Sequence, residues 1–218
     1  MPAAATAKGR GARERIERAA ARLFYRRGIH ATGVELIAQE ANVSKRTLYQ
    51  HFASKTDLVD NYLRSIDARG GSPVERRLDD AQLPAGERLL AIFDMSEADV
   101  VRGCPFHNAA VESAGSLTTT DELVRAHKRE FIRRLAAVAG EAGAADPDQL
   151  GRQLAVLFEG VTALATTLND TAPVADARAA AAILIDGALG SRPPGMPTSS
   201  RRSRIGGSSP AGAATSSN

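Results

Sequence analysis

Apolar residues along this chain recur at spacings of three and four. Ile16, Ala19, Ala20, Leu23 and Phe24 stand at i, i+3, i+4, i+7 and i+8. That is one stripe of an amphipathic helix running from Arg10 to a C-capping Gly28. Thr32, followed three residues later by Glu35, has the spacing of a capping box and predicts a second helix with Val34, Ile37 and Ala38 facing inward. Ser44 opens a third helix, and Ser54, ahead of Asp57, a fourth. Residues 70–83 read as an irregular connection. Five further helices are predicted at roughly 84–99, 103–115, 120–142, 147–169 and 174–190, with breaks at "RGCP", the Gly115–Thr120 turn, "AADPDQ" and "NDTAP". No strand-like alternation of useful length and no internal repeat interrupts them. The expected fold is all-α with about nine helices, a flexible arm at 1–9 and a disordered Ser/Gly/Pro/Arg tail at 191–218.

The stretch "NVSKRTLYQHFASK", residues 42–55, concentrates the polar chemistry. With Ser44 as N-cap, Val43 and Leu48 occupy the hydrophobic-staple positions. Leu48 and Phe52, at i and i+4, face inward onto the first two helices. Positions 45, 46, 49 and 50 cluster on the opposite side of a helix with 3.6 residues per turn. Lys45, Arg46, Tyr49 and Gln50 are therefore presented together, outward, and "EANVS" is the short turn of a helix-turn-helix. Donors and acceptors on a helix held from behind suit the major groove, whose base edges carry a distinguishable hydrogen-bond code. The lysine, histidine and tyrosine around them suit phosphates. A plain solvated face is the alternative, and the agreement of cap, staple, turn length and polar face argues against it.

Charge sharpens this picture. Residues 1–55 hold 11 Lys/Arg against 4 Asp/Glu, residues 56–190 hold 13 against 21, and the last 28 residues hold 4 arginines and no acid, within a chain total of +3. A basic front ahead of an acidic body fits a polyanion at one end and, from charge alone, fits a solvated charged face equally well. The 218 residues are 43% hydrophobic but only 4% aromatic, which suits closely approaching helices. No apolar run reaches the roughly 18 residues of a membrane span, and the first residues carry no apolar signal core. A single cysteine, Cys104, excludes an internal disulfide and fits a reducing cytoplasm. The expected location is cytoplasmic, with no membrane partner.

The stretch "GIHATGVELIAQEANVSKRTLYQHFASKTDLV" resembles the amino-terminal domain of the tetracycline-repressor (TetR) family of bacterial regulators. The resemblance covers about residues 10–65, through "T-G-V-x-x-I-A" and "V-S-K-x-T-L-Y-x-H-F-x-S-K". It implies three DNA-binding helices followed by a divergent ligand-binding and dimerisation domain. By residue, it implies phosphate contacts at Thr32, Tyr49, His51 and Lys55, and base-edge contacts among Lys45, Arg46, Thr47 and Gln50. Arg46 stands where many relatives carry glycine or alanine, so it either reads a guanine or adds a backbone contact. Gly33 stands where threonine is common, which removes a hydroxyl there. The domains expected are thus a DNA-binding unit at 10–55 and a ligand-binding and dimerisation unit at 56–190.

The second half resembles the family in layout, with a Gly-Cys-Pro opening in "RGCPFHNAAVESA" familiar from some branches. Leu150, Leu154, Leu157, Val161, Leu164 and Leu168 are spaced 4, 3, 4, 3, 4. This heptad seam, with Ile183 on the small-residue last helix, could form a monomer's core or the four-helix interface of a homodimer. Cys104 before Pro105 reads as a small buried residue at a helix start rather than a nucleophile or metal ligand, though redox sensing stays open. His127, between Leu123 and Phe131, reads as an interior histidine or a hydrogen-bonding group of a pocket. Phe93, Phe106, His107, Val111, His127, Phe131, Phe158 and Thr162 are the candidates for contacting an effector in a bundle cavity.

The sequence therefore predicts a homodimeric, non-enzymatic DNA-binding regulator with no cofactor and no metal. The specific form expected is a repressor on a palindromic operator, released by a small, largely apolar effector. Helix four would carry the shift, pivoting at Ser54–Asp57. The alternative keeps the DNA-binding domain and discards the switch: an architectural or cell-cycle DNA binder.

Overall fold

Side-chain caps set the start of three helices. Ser44 Oγ accepts the Thr47 N–H at 3.0 Å, Ser54 Oγ the Asp57 N–H at 3.0 Å, and Asp146 Oδ1 the Gln149 N–H at 2.9 Å. Each such cap contributes about 1 kcal/mol. The computed structural model describes residues 4–96, 102–113 and 118–190, with residues 4–10 described by their backbone alone. Within them lie nine α-helices and no strand: α1 (Ala4–Arg27), α2 (Val34–Glu40), α3 (Lys45–His51), α4 (Lys55–Asp67), α5 (Ala85–Ala91), α6 (Pro105–Ser113), α7 (Thr118–Glu141), α8 (Pro147–Leu168) and α9 (Ala172–Gly190).

Several boundaries differ from those read in the sequence. Residues 4–9, expected as an arm, continue α1 toward the amino terminus. Gly28, at φ 92°, ends that helix as expected and donates its N–H to Phe24 O at 3.0 Å. The capping box at Thr32 does not form. Gly33 is the N-cap of α2 and makes no side-chain cap, while Thr32 is fully buried. The helix expected over 84–99 ends at Ala91, where Arg77 Nη1 donates to Ala91 O at 3.1 Å and also to Asp94 O. A guanidinium from the preceding connection thus takes carbonyls that the helix would otherwise have used itself. That connection is not wholly irregular, since Glu75–Asp79 is a 3₁₀ turn. The tail at 191–218, with Arg201, Arg202 and Arg204, lies outside the described residues.

The apolar residues form two clusters. The first joins α1–α4, with Ile16, Leu48, Phe52, Leu58 and Leu63 at its centre, and it also takes Cys104, Phe106 and Ala109 of the α6 region and Val124 of α7. The second fills the body between α5, α7, α8 and α9. α6 packs against α7 and also turns Phe106 and Ala109 into the core cluster of the amino-terminal helices.

α7 and α8 make the most extensive helix pair, and its closeness depends on one missing side chain. A Cβ at Gly151 would stand 2.8 Å from Ala136 N and 3.0 Å from Ala136 Cα. These are backbone atoms that cannot rotate away. Gly151→Ala is expected to destabilise the fold by about 1–3 kcal/mol through forced helix separation, read as a lower denaturation midpoint at unchanged slope.

Candidate nucleic-acid interface and interior cavity

α3 has only seven residues, too few to persist alone in water. Three supports hold it. Ser44 caps its amino end, and Leu48 (0% exposed) and Phe52 (1%) sink into the first core cluster. Arg13 of α1 clasps its carboxy end. Its Nη1 donates to His51 O at 3.2 Å, its Nη2 to Asn61 Oδ1 at 3.3 Å, and its guanidinium lies 4.4 Å from the centroid of the Phe52 ring. The turn before α3 is held by Arg15 Nε donating to Ala41 O at 3.0 Å, with Asn42 in the left-handed region at φ 51°. Neither arginine was singled out in the sequence. Arg13 pairs with Glu17 one turn on, and Arg15 stands between Glu14 and the charged pair Glu17 and Arg18, so both read as ordinary surface positions of α1.

With its back held, α3 exposes Lys45, Arg46, Tyr49 and Gln50 on one side. Lys45 Nζ pairs with Glu35 of α2. The hydrogen bond and charge of that partner hold the ammonium above its usual pKa and the carboxyl below its own. Thr47 is half-buried, and its hydroxyl lies 2.8 Å from Ser44 Oγ, so it serves the cap. His51 is half-buried, and Lys55 Nζ donates to His30 O at 3.4 Å. Thr32 is a correction: its side chain is 0% exposed, and Oγ1 donates to Gly28 O at 2.7 Å and Leu23 O at 3.4 Å. The hydroxyl ties the α1–α2 corner together and does not face solvent.

Behind this unit lies a cavity of about 460 Å³, walled by α1, α4, residues 71–76, Met95, residues 103–105 and α8. Of the eight effector candidates only Phe158 and Thr162 line it. Phe93 and Phe131 are core residues packed on Phe158, at centroid distances of 6.3 and 5.0 Å. Phe106 stacks flat on His127 at 3.5 Å. Val111 is 64% exposed on the outer side of α6, and His107 is exposed 4.0 Å from Glu159. For Phe93, Phe106 and Phe131 the reason is that an i, i+4 apolar stripe marks an inward face without saying whether core or cavity lies there, whereas Val111 and His107 do not face inward. The missed wall residues include Tyr25 and Tyr62, which belong to helices assigned to DNA binding.

His127 is interior, and its ring joins three elements. Nδ1 lies 2.9 Å from Asp67 Oδ1 at the end of α4, and Nε2 lies 3.4 Å from Glu75 Oε1 in the connection. Burial pushes the Glu75 carboxyl up, but the His127 hydrogen bond and charge and the Ser72 N–H outweigh it, and the net direction is downward. Thr120 Oγ1 donates to Asp60 Oδ1 at 2.7 Å, so α4 is pinned to α7 at two levels. Cys104 is buried at the cavity wall with Lys128 Nζ 3.2 Å from its sulfur. Burial holds the thiol above its usual pKa despite that ammonium, which does not favour a thiolate nucleophile. Among the described residues no His/Cys/Asp/Glu group could hold a metal ion, and no helix is long and apolar enough to cross a membrane.

The expected seam on α8 divides. Leu150, Leu154 and Val161 are buried and Leu157 is half-buried, but Leu164 is 49% and Leu168 57% exposed. At about 100° per residue the six positions span about 80° of the helix, and the buried face centres to one side of them, on Phe158 and Ala165. The seam is thus the edge of the core. Val156, 73% exposed, lies beside that open side, in one groove with Leu164 and Leu168, and Ile183 of α9 is likewise 73% exposed.

Comparison with known proteins agrees with this layout. Residues 16–62 match the family described as "Bacterial regulatory proteins, tetR family", and residues 85–181 match "Tetracyclin repressor-like, C-terminal domain". A structure of a putative TetR transcriptional regulator from Streptomyces avermitilis is 31% identical, covers 81% of this chain and 97% of its own, and superposes with a TM-score of 0.68. The transcriptional activator FasR of Mycolicibacterium smegmatis is 55% identical over 84 residues, 37% of this chain and 38% of that protein. The transcriptional repressor KstR2 of Mycobacterium tuberculosis is 49% identical over 53 residues, 24% of this chain and 26% of that protein. The matched segments therefore span well under half of those two relatives.

The placement of Thr32 has a measurable consequence. Thr32→Val should cost about 1 kcal/mol of stability by removing a buried hydrogen bond, yet leave the salt dependence of DNA binding unchanged. A fall of about 0.9 in the log–log salt slope, the signature of one lost phosphate contact, would return Thr32 to the interface.

Proposed function

The chain belongs to the TetR family of bacterial transcriptional regulators, and on that premise we propose that it acts as a homodimer on a palindromic operator and is released by a small effector. One observation carries the reading: Arg46, Tyr49 and Gln50 stand exposed together on a helix whose opposite side, Leu48 and Phe52, is buried. Two such helices, one from each protomer, would enter successive major grooves about one helical turn apart. Arg46 and Gln50 would read base edges. Tyr49, His51 and Lys55 would hold phosphates, with Lys45 joining once it leaves Glu35.

Val156, Leu164 and Leu168 of α8 line one open groove with Ala172, Pro173, Ala177 and Ala180 of α9, and together with the exposed Ile183 they support pairing through α8 and α9 into a four-helix interface. Exposed apolar side chains in one contiguous strip are rare on a monomer. The cavity supports the effector. Its walls include α1 and α4, so a bound molecule touches the helices that carry and position α3. Effector and DNA would then lower each other's affinity by the same factor. Both an activator and a repressor are among the similar proteins. Repression is the outcome proposed for an operator that overlaps a promoter.

Two measurements test this. In a binding series over operator variants, Arg46→Ala should cost about 1–3 kcal/mol at one base position, while Lys55→Ala should weaken all sequences alike and lower the salt slope by about one unit. Equal loss on every variant for Arg46→Ala would make it a backbone contact. Separately, the Leu164→Glu/Ile183→Glu double variant should sediment as a folded monomer with operator affinity reduced at least tenfold. An unchanged dimer would move the interface elsewhere.

A further inference from the structure

Among the described residues, arginines predominate around the interior cavity: Arg22, Arg26, Arg69 and Arg76 line it, against the single carboxylate of Glu75. That carboxylate is 1% exposed and already engaged, accepting from Ser72 N–H at 2.9 Å and facing His127 Nε2 at 3.4 Å. Of the four arginines, Arg22 is paired with Glu40, and Arg76 Nη1 donates to Gly71 O at 3.1 Å. Arg26 and Arg69 have no hydrogen bond or ion pair among the described residues. Farther in, the walls are apolar, through Ile66, Val74, Met95 and Phe158. One polar group stands on this wall unused: Tyr62 is 7% exposed, yet its hydroxyl has no hydrogen-bond partner among the described residues. The phenol oxygen remains accessible from the cavity, so it can donate to whatever occupies that space.

From this arrangement we propose that the cavity takes an organic carboxylate with a bulky apolar body, its charged end held by Arg26 and Arg69 and its interior accepted by the apolar walls, with Tyr62 donating to an oxygen of the ligand. Guanidinium suits a carboxylate because its planar fork matches two oxygens at once. A cationic ligand would meet the rim's unbalanced positive charge. The two free arginines also come from different elements, Arg26 from the last turn of α1 and Arg69 from just beyond α4. A carboxylate bridging them would tie the helix that clasps α3 to the helix that follows it. Occupancy would then bear on the recognition helix directly. The inference rests on the effector reading above, and it adds the chemical class of the effector.

The test uses the full chain and three fluorescent probes that share one apolar body: 1-pyrenebutyrate, 1-pyrenebutanol and 1-pyrenebutylamine. The expected result is tightest binding for the carboxylate, about tenfold weaker for the alcohol, and weakest for the amine. In the Arg26→Gln/Arg69→Gln variant the carboxylate should fall to the affinity of the alcohol, with the alcohol itself unchanged within twofold. Tyr62→Phe should weaken carboxylate and alcohol together. Binding that ignores the head group, a preference that survives loss of both arginines, or no binding by any probe overturns the proposal. Release from a DNA duplex selected by the protein out of a random pool is read in parallel. A carboxylate that binds as expected but leaves DNA affinity unchanged would sink the effector reading while sparing the site. Release by the alcohol and carboxylate alike would spare the effector reading and sink the anion site.

Discussion

The grip of Leu48 and Phe52 on the amino-terminal core is the constraint on which the rest depends. A seven-residue helix has too few internal hydrogen bonds to offset the cost of nucleating it, so α3 exists because its inner side is buried and its ends are tied. Ser44 supplies one tie from within the element. Arg13 supplies the other from α1, combining carbonyl, amide and ring contacts at one junction. The outward side chains inherit a fixed direction from this support, which is what reading base edges requires.

The same support couples the reading head to the body. α4 leaves the Ser54 cap beside α3 and runs along α7, meeting it through Asp60–Thr120 and Asp67–His127. Its other side, at Tyr62 and Ile66, is cavity wall. α6 adds a second route, since Glu112 accepts the His30 N–H at 2.7 Å at the corner between α1 and α2, and Arg102 Nε donates to Tyr25 O at 3.1 Å. Packed interiors move as discrete units rather than stretching. In the proposed mechanism, a ligand that shifts α4 against α7 therefore has to carry the α1–α3 unit with it. Both routes are polar and specific, and they fix the register of surfaces that apolar packing alone would leave free to slide.

Much of the fold was legible. Helix identity followed from apolar spacing because burial of one stripe is what stabilises these helices, and the caps at Ser44 and Ser54 fell where predicted because the residue types suited to that task are few. Errors gathered where a distant group intervened. Thr32 had the sequence of a cap, but carbonyls of α1 and of the turn that follows it captured its hydroxyl. The helix beginning at α5 stopped early where Arg77 took its terminal carbonyls. The polar face of α3 was legible because one short helix contains it. The cavity was not, because its walls come from five separate stretches of chain.

The sequence by itself determined the all-α class, the capped recognition helix and which of its side chains face away from the core. Those properties depend on neighbours within one or two helical turns, and periodicity encodes them directly. Only the tertiary structure decided that α6 lends side chains to the core of the amino-terminal helices while packing on α7, that half of the α8 seam is interior while the rest is open, and that Tyr62, Arg26 and Arg69 share one cavity. Each of these depends on the angle at which separate helices meet. An apolar stripe specifies that it must be covered, but not which partner covers it or whether the cover leaves a space.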